Sequence, residues 1–182
     1  MESIQVKEEL LRTGIGKIIE ITALITDCLK KNGKVILFGN GGSASDSQHI
    51  AAEFVGRFKK DRKALPAIAL TTNTSILTSL ANDYGYEVVF AKQIEALGEK
   101  NDVAIGISTS GKAKNVVLGI KQAKKMGLKV IALTGRDGGD LAKLSDISLV
   151  VPSSVTARIQ EAHITVGHII CELIEQALCQ EP

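Results

Sequence analysis

At 182 residues, with 45% hydrophobic and 3% aromatic side chains, the chain is long enough for one domain whose aliphatic core needs no disulfide or metal staple. A formal net charge of +2, with acidic and basic residues interspersed, provides no concentrated basic face for nucleic acid or a membrane surface. Three widely spaced cysteines (Cys28, Cys171, Cys179) form no CxxC pair and speak against a disulfide framework or a thiolate zinc site.

Apolar residues at helical spacing (Ile4, Leu11, Ile15, Ile18, Leu24, Ile25, Cys28) predict a long helix over 3–31, open to a break near Gly14–Gly16 and stopped by Asn32-Gly33. The opening "MESIQVKEELL" is charged and amphipathic rather than a signal peptide, and no apolar run is long enough to span a bilayer. A cytoplasmic setting is the resulting expectation. "KVILFG" (34–39) reads as a buried strand, followed by a helix from about Ser43 to Phe58. The basic run "KKDRK" (59–63) reads as a solvated loop, and Cys28 and Cys171 as small core residues.

"AIAL" (67–70) is the second strand, and "TSILTSLAND" and "EVVFAKQIEAL" are helices flanking "DYGY". "DVAIGIS" (102–108), "KVIALTG" (129–135) and "DISLVVP" (146–152) complete five strands, with a helix over "NVVLGIKQAKKMG" and a last one from about Thr156 to Cys179. Strands alternating with helices imply a parallel sheet covered on both faces, hence a three-layer αβα sandwich. Residues 1–182 are expected to form one domain, with 1–33 as a helical segment and 34–182 as the α/β core. Ligands of such sheets bind beyond the carboxyl ends of the strands. Two loops qualify: "GNGGSAS" after the first strand and "STSGKAKN" after the third.

"STSGKAKN" (108–115) combines three small hydroxyl residues, a glycine and a helix start, which suits a phosphate held by backbone N–H groups and the helix dipole. It is not a Walker A loop, and an ordinary N-cap explains it equally well. "GNGGSAS" has Gly39-x-Gly41 but carries Ala44 where the dinucleotide fingerprint needs its last glycine, and "AIALTTN" offers no acidic residue for a ribose. A nicotinamide cofactor is therefore not expected. His49 and Glu53, four residues apart, share one helix face and suit a metal, though such pairs are commonly surface contacts. "RIQEAHITVGHII" adds Gln160, Glu161, His163 and His168. Gln160 and His168 lie roughly 12 Å apart along a straight helix, so a shared metal asks for a bend or a neighbouring subunit. His163 reads as structural.

Five segments, "GNGGSASDSQHIAAEFVGRF", "LANDYGY", "GISTSGKAKNV", "ALTGRDGG" and "RIQEAHITVGHII", together resemble the sugar isomerase (SIS) domain family, and within it the branch that isomerises heptose phosphates. The resemblance covers nearly the whole chain. It implies a flavodoxin-like SIS fold, with the N-terminal segment used in packing a homotetramer whose active sites lie at subunit interfaces. It implies substrate contacts at Asn40, Gly41, Gly42, Ser43, Asn82 and Asp83, and a phosphate cradle at Ser108, Thr109 and Ser110. One Zn²⁺ per subunit would be held by His49, Glu53, Gln160 and His168, with Glu53 and Gln160 also touching substrate.

The implied reaction is aldose–ketose isomerisation of D-sedoheptulose 7-phosphate to D-glycero-D-manno-heptose 7-phosphate through an enediol, the first step of nucleotide-activated heptose biosynthesis. Glu53 is the expected base, His168 the acid, and Asp83 the reserve base. Two departures from the family pattern stand out: Ala113 where a serine is frequent, with Lys112 or Lys114 able to compensate, and Ala157 where some members carry aspartate. The alternative is a non-catalytic SIS-fold adaptor binding the replication initiator DnaA. Such an adaptor has no need of Glu53, which this sequence retains together with Gln160 and His168.

Overall fold

A 29-residue helix, α1 (Glu2–Lys30), opens the chain in the computed structural model, which describes residues 1–179. It is the long helix read from the sequence, and it runs unbroken through Gly14 and Gly16, where a break was left open. A side chain on Gly14 would press on Leu10 at 2.7 Å and reach Leu149 of the last strand at 3.9 Å. Packing against the sheet offsets the helix-propensity cost of glycine there, about 1 kcal/mol. Asn32, in the left-handed region at φ 60°, ends the helix, and the Gly33 N–H returns to the Cys28 carbonyl at 2.9 Å.

Five short strands follow: β1 (Val35–Gly39), β2 (Ala67–Ala69), β3 (Val103–Ser108), β4 (Lys129–Gly135) and β5 (Ile147–Val151). They pair in parallel, as expected from sequence and with bounds within a residue of those expected, and their order is β2-β1-β3-β4-β5. The helices between them are α2 (Gly42–Val55), α3 (Thr74–Tyr84), α4 (Val89–Leu97), α5 (Lys114–Lys125), α6 (Gly139–Leu144) and α7 (Thr156–Leu178).

Alternation along each strand divides the interior in two. Val35 and Leu37 of β1, with Val103, Ile105 and Ile107 of β3, face α1, α2 and α7 through Ile21, Ile25, Ile50, Phe54 and Ile170. Ile36 and Phe38 point the other way, toward Phe90, Ile94, Val116, Ile120 and Leu141 of α4, α5 and α6. Cys28 and Cys171 are buried, as expected of small core residues. No helix among the described residues is long and apolar enough to cross a membrane.

Two readings need correction. "RDGGDLAKLS", to which the sequence reading assigned no element, contains the short helix α6, whose six residues are too few for periodicity to show. "KKDRK" is not simply solvated, because Arg62 is buried beside Glu175 of α7, with side chains 5% and 3% exposed and Nε to Oε1 at 3.0 Å. The Glu175 carboxylate also accepts backbone N–H groups from Phe58, Lys59 and Lys60 at 3.2, 2.8 and 2.9 Å. The Arg62 guanidinium in turn donates to the carbonyls of Glu53 and Phe54 at 2.8 and 2.9 Å, supplying the partners that the end of α2 lacks.

Burial would raise the Glu175 pKa, but the three N–H donors and Arg62 outweigh it and hold the carboxyl below its usual range. A lowered carboxylate pKa contributes stability above the unfolded value of about 4.3, and that contribution disappears as pH falls through the folded value. Glu175→Ala is therefore expected to lose about 3–5 kcal/mol in urea unfolding at neutral pH, the usual cost of stranding one partner of a buried pair. The loss should shrink in acid, and an unfolding free energy equal to that of the parent would refute the clamp.

Candidate active site

β1 and β3 are neighbours, with Gly39 of β1 opposite Ile107 of β3, yet the chain leaves their ends in opposite directions. From β1 it passes through α2 to β2 on one side, and from β3 through α5 to β4 on the other. Such a reversal opens a crevice beyond the strand ends, where ligands of open parallel sheets bind. Both loops singled out in the sequence border it. Asn40 and Asn115 join them through a reciprocal pair of amide hydrogen bonds: Asn40 Nδ2 donates to Asn115 Oδ1 and Asn115 Nδ2 to Asn40 Oδ1, each at 2.8 Å. The Tyr86 hydroxyl donates to Asn40 Oδ1 at 3.5 Å. Asn115 was missed as a functional candidate, although it is the closing residue of "STSGKAKN".

In the β3 loop Ser108 is buried, and Thr109 and Ser110 are half-buried. The Gly111 N–H closes a turn onto the Ser108 carbonyl at 3.0 Å, and Gly111 adopts φ +65° with its Cα against the Gly138 carbonyl, where no side chain fits. The N-cap of α5 is Ala113, which supplies no side-chain acceptor, and in the first turn the Val116 N–H donates instead to Asn115 Oδ1 at 3.0 Å. Lys112 is already engaged, donating to the Asp137 carboxylate at 3.0 Å. That hydrogen bond holds Asp137 below the usual carboxylate range. Lys114, the other cation of the loop, is exposed.

α2 and α7 lie side by side and run the same way. Gly42 meets the Gln160 amide, Ile50 presses on Gly167, His49 meets His168, and Phe58 bonds to Glu175. A side chain on Gly42 would collide with Gln160 Nε2, so the close start of this pairing requires glycine. One turn or two further on, His49 Nε2 stands 2.9 Å from His168 Nε2 and 3.4 Å from Glu53 Oε1. The donor atoms of all three residues lie within 4.8 Å of one another. A tetrahedral zinc with bonds of about 2.0–2.1 Å separates its nitrogens by roughly 3.3 Å, so this set fits the ion with little adjustment. His49 is half exposed, which leaves one side of the cluster open. The Phe58 ring flanks His168 at 5.6 Å.

Of the two routes to a shared metal, a bend or a neighbouring subunit, the bend is absent: α7 is continuous from Thr156 to Leu178, and the Gln160 amide lies beside Gly42. Asn82 and Asp83 stand exposed at the end of α3, Asn82 Nδ2 donating to Asp83 Oδ1 at 2.8 Å, and no hydrogen bond among the described residues joins them to either loop. Ser43 is buried against Gly39. His163 is fully buried, with Nε2 at 3.0 Å from the Thr134 carbonyl. Burial lowers its pKa to about 4 against the pull of that hydrogen bond, so it is a neutral structural histidine, as read from sequence. Asp46, which sequence reasoning passed over, sits one turn before His49. Its carboxyl pKa is raised by burial and opposed by His49, and its Oδ2 is buried without a hydrogen-bond partner among the described residues.

The family model described as "SIS domain" matches residues 2–135. The phosphoheptose isomerase of Aquifex aeolicus is 54% identical over 98% of this chain and 94% of its own length. The solved phosphoheptose isomerase of Neisseria gonorrhoeae superposes with a TM-score of 0.92 at 46% identity, covering 96% of this chain and 94% of that one. That of Francisella tularensis gives 0.93 at 39% identity over 96% and 93%. With its two strand-end loops meeting at one crevice and these relatives matching it along almost its full length, the chain belongs to the SIS domain family, in the group of the phosphoheptose isomerases.

Proposed function

We propose that the chain is an aldose–ketose isomerase that converts D-sedoheptulose 7-phosphate to D-glycero-D-manno-heptose 7-phosphate, the first step of nucleotide-activated heptose biosynthesis. The observation that carries the reading is the convergence of two histidines and a glutamate, His49, His168 and Glu53, in a chain matched end to end by proteins named phosphoheptose isomerase. The adaptor reading is not favoured, since an adaptor has no use for this donor set.

In this reading the phosphate sits on Ser108, Thr109 and Ser110 at the start of α5, where backbone N–H groups and the helix dipole favour an anion. The sugar lies along Asn40, Gly41, Gly42 and Ser43, with Asn82 and Asp83 contacting further hydroxyls and Gln160 reaching it over Gly42. Glu53 takes the proton from C1 of the ketose while His168 donates one to O2, giving the enediol. Return of a proton to C2 and loss of one from O1 complete the aldose, so no electron carrier is consumed.

The donor set suits Zn²⁺, one per subunit, held by His49, Glu53 and His168 with Gln160 as fourth ligand. Bound there, the ion would supply Lewis-acid polarisation of the carbonyl and hydroxyl oxygens. Glu53 then carries two duties, and a carboxylate committed to a cation is a weaker base, which keeps Asp83 as the second candidate. Exposed Ile4, Leu11, Ile15 and Ile19 of α1, beside Ile169 of α7, support a homotetramer packed through this apolar edge, in the cytoplasm.

Purified protein should carry about one zinc per chain and isomerise sedoheptulose 7-phosphate, with activity lost to a chelator and restored by zinc; a fully active metal-free protein would overturn the donor assignment. Glu53→Gln should lower kcat by about 10²–10⁴-fold, the span of general-base contributions, with oligomeric state unchanged in light scattering. Retained turnover would move the base to Asp83. Ala113→Ser restores a cap at α5 and a hydroxyl beside the phosphate, and is expected to lower KM by about fivefold, one hydrogen bond's worth. An unchanged or raised KM would count against the cradle.

A further inference from the structure

We infer that Asn115 is a positioning residue of the isomerase site, fixing through its amide pair with Asn40 which atoms of Asn40 face the sugar and thereby coupling the phosphate loop to the substrate floor. The inference rests on the isomerase reading for its chemistry and on four hydrogen bonds for its geometry. A reciprocal amide pair is ambiguous in isolation, because flipping both groups preserves both bonds. Here the backbone breaks the symmetry. The Val116 N–H, in the first turn of α5, donates to Asn115 Oδ1 at 3.0 Å. The Asn115 oxygen therefore stays on the α5 side and also accepts from Asn40 Nδ2, leaving Asn115 Nδ2 to donate to Asn40 Oδ1. The Tyr86 hydroxyl approaches the same Asn40 oxygen.

Each amide has two N–H donors and two acceptor lone pairs. The pair and Tyr86 consume both lone pairs of Asn40 Oδ1 and one of its N–H groups. What Asn40 can still offer a ligand is one N–H in a fixed direction. Asn115 is 5% exposed, so it acts on ligand through Asn40 and not by direct contact. The residues bridged are 75 apart in sequence, on α5 and on the β1 loop, so whatever orders the first turn of α5 also orders the floor on which the sugar rests.

The test is a double-mutant cycle on the full-length protein with sedoheptulose 7-phosphate as substrate and inorganic phosphate as competitor. Asn115→Ala should lower kcat/KM by about 30–100-fold, the scale of a small misplacement, while the inhibition constant of inorganic phosphate stays within about twofold. In an Asn40→Ala background the same change should cost nothing further, because its effect runs through Asn40. Additive losses, or an equal weakening of inorganic phosphate, overturn the inference and mark Asn115 as a support of the α5 turn. Asn115→Asp provides an isosteric second variant should the alanine form not fold. It still accepts from Val116 N–H and Asn40 Nδ2 but cannot donate to Asn40 Oδ1, and is expected to show the same pattern.

Hydrogen exchange separates this inference from the isomerase reading. Inorganic phosphate should slow exchange in residues 40–43 of the parent and leave it unchanged in Asn115→Asp. Equal slowing in both defeats the coupling, whatever the turnover. A parent that does not isomerise the heptulose phosphate defeats the reading alone.

Discussion

The adjacency of β1 and β3 is the constraint on which the site depends. Right-handed crossovers on a right-twisted sheet place the helix after β1 on one face and the helix after β3 on the other. Between the two departing chains a crevice must open, and both helix starts must border it. The sequence elements that fill that position are small: Gly41, Gly42, Ser43 on one side and Ser108, Thr109, Ser110, Gly111 on the other. Small residues leave the backbone exposed to a ligand, and backbone groups together with helix ends then become the recognition surface.

A second constraint acts at right angles to the first. α2 begins at the crevice, and α7 runs beside it in the same direction, so corresponding residues of the two helices meet at a nearly constant offset from Gly42–Gln160 to Phe58–Glu175. The offset brings His49 opposite His168, with Glu53 one turn on. At the far end Arg62 and Glu175 lock the register, and Arg62 does so on the carbonyl of Glu53 itself. The donor cluster is thus fixed from below by a buried ion pair and from above by a glycine contact. The ion pair lies away from the crevice, whereas the glycine contact borders it.

Much of this was legible in the sequence because it depends on local pattern. Strand bounds followed from short apolar runs, two of them ending in glycine, and β4 coincides residue for residue with "KVIALTG". The histidines sorted themselves partly by spacing, since His49 and Glu53 share a face whatever the tertiary structure does. Partners far apart in sequence were not legible. The Asn40–Asn115 and Arg62–Glu175 pairs span 75 and 113 residues, and nothing in a single asparagine or arginine announces its distant partner. "KKDRK" looked solvated because four of its five residues are exposed, and the fifth, Arg62, is placed by α7 rather than by its neighbours. Helix rise alone suggested that Gln160 and His168 need a bend or a neighbouring subunit to share a metal, and the helix is continuous, with Gln160 meeting α2 at Gly42 and His168 meeting it at His49.

The sparse aromatic content has a consequence for how this molecule can be observed. The chain has no tryptophan and two tyrosines, Tyr84 and Tyr86, both largely exposed on the segment that overhangs Asn40. Tyrosine emission therefore originates on this exposed segment, and the core contributes only the weak signal of phenylalanines such as Phe38, Phe54 and Phe90. Excitation of tyrosine reports solvent and hydrogen bonding around Tyr86, while loss of the aliphatic interior passes almost unseen. The intrinsic optical signal of this fold belongs to its site, and denaturation must be followed by backbone dichroism instead.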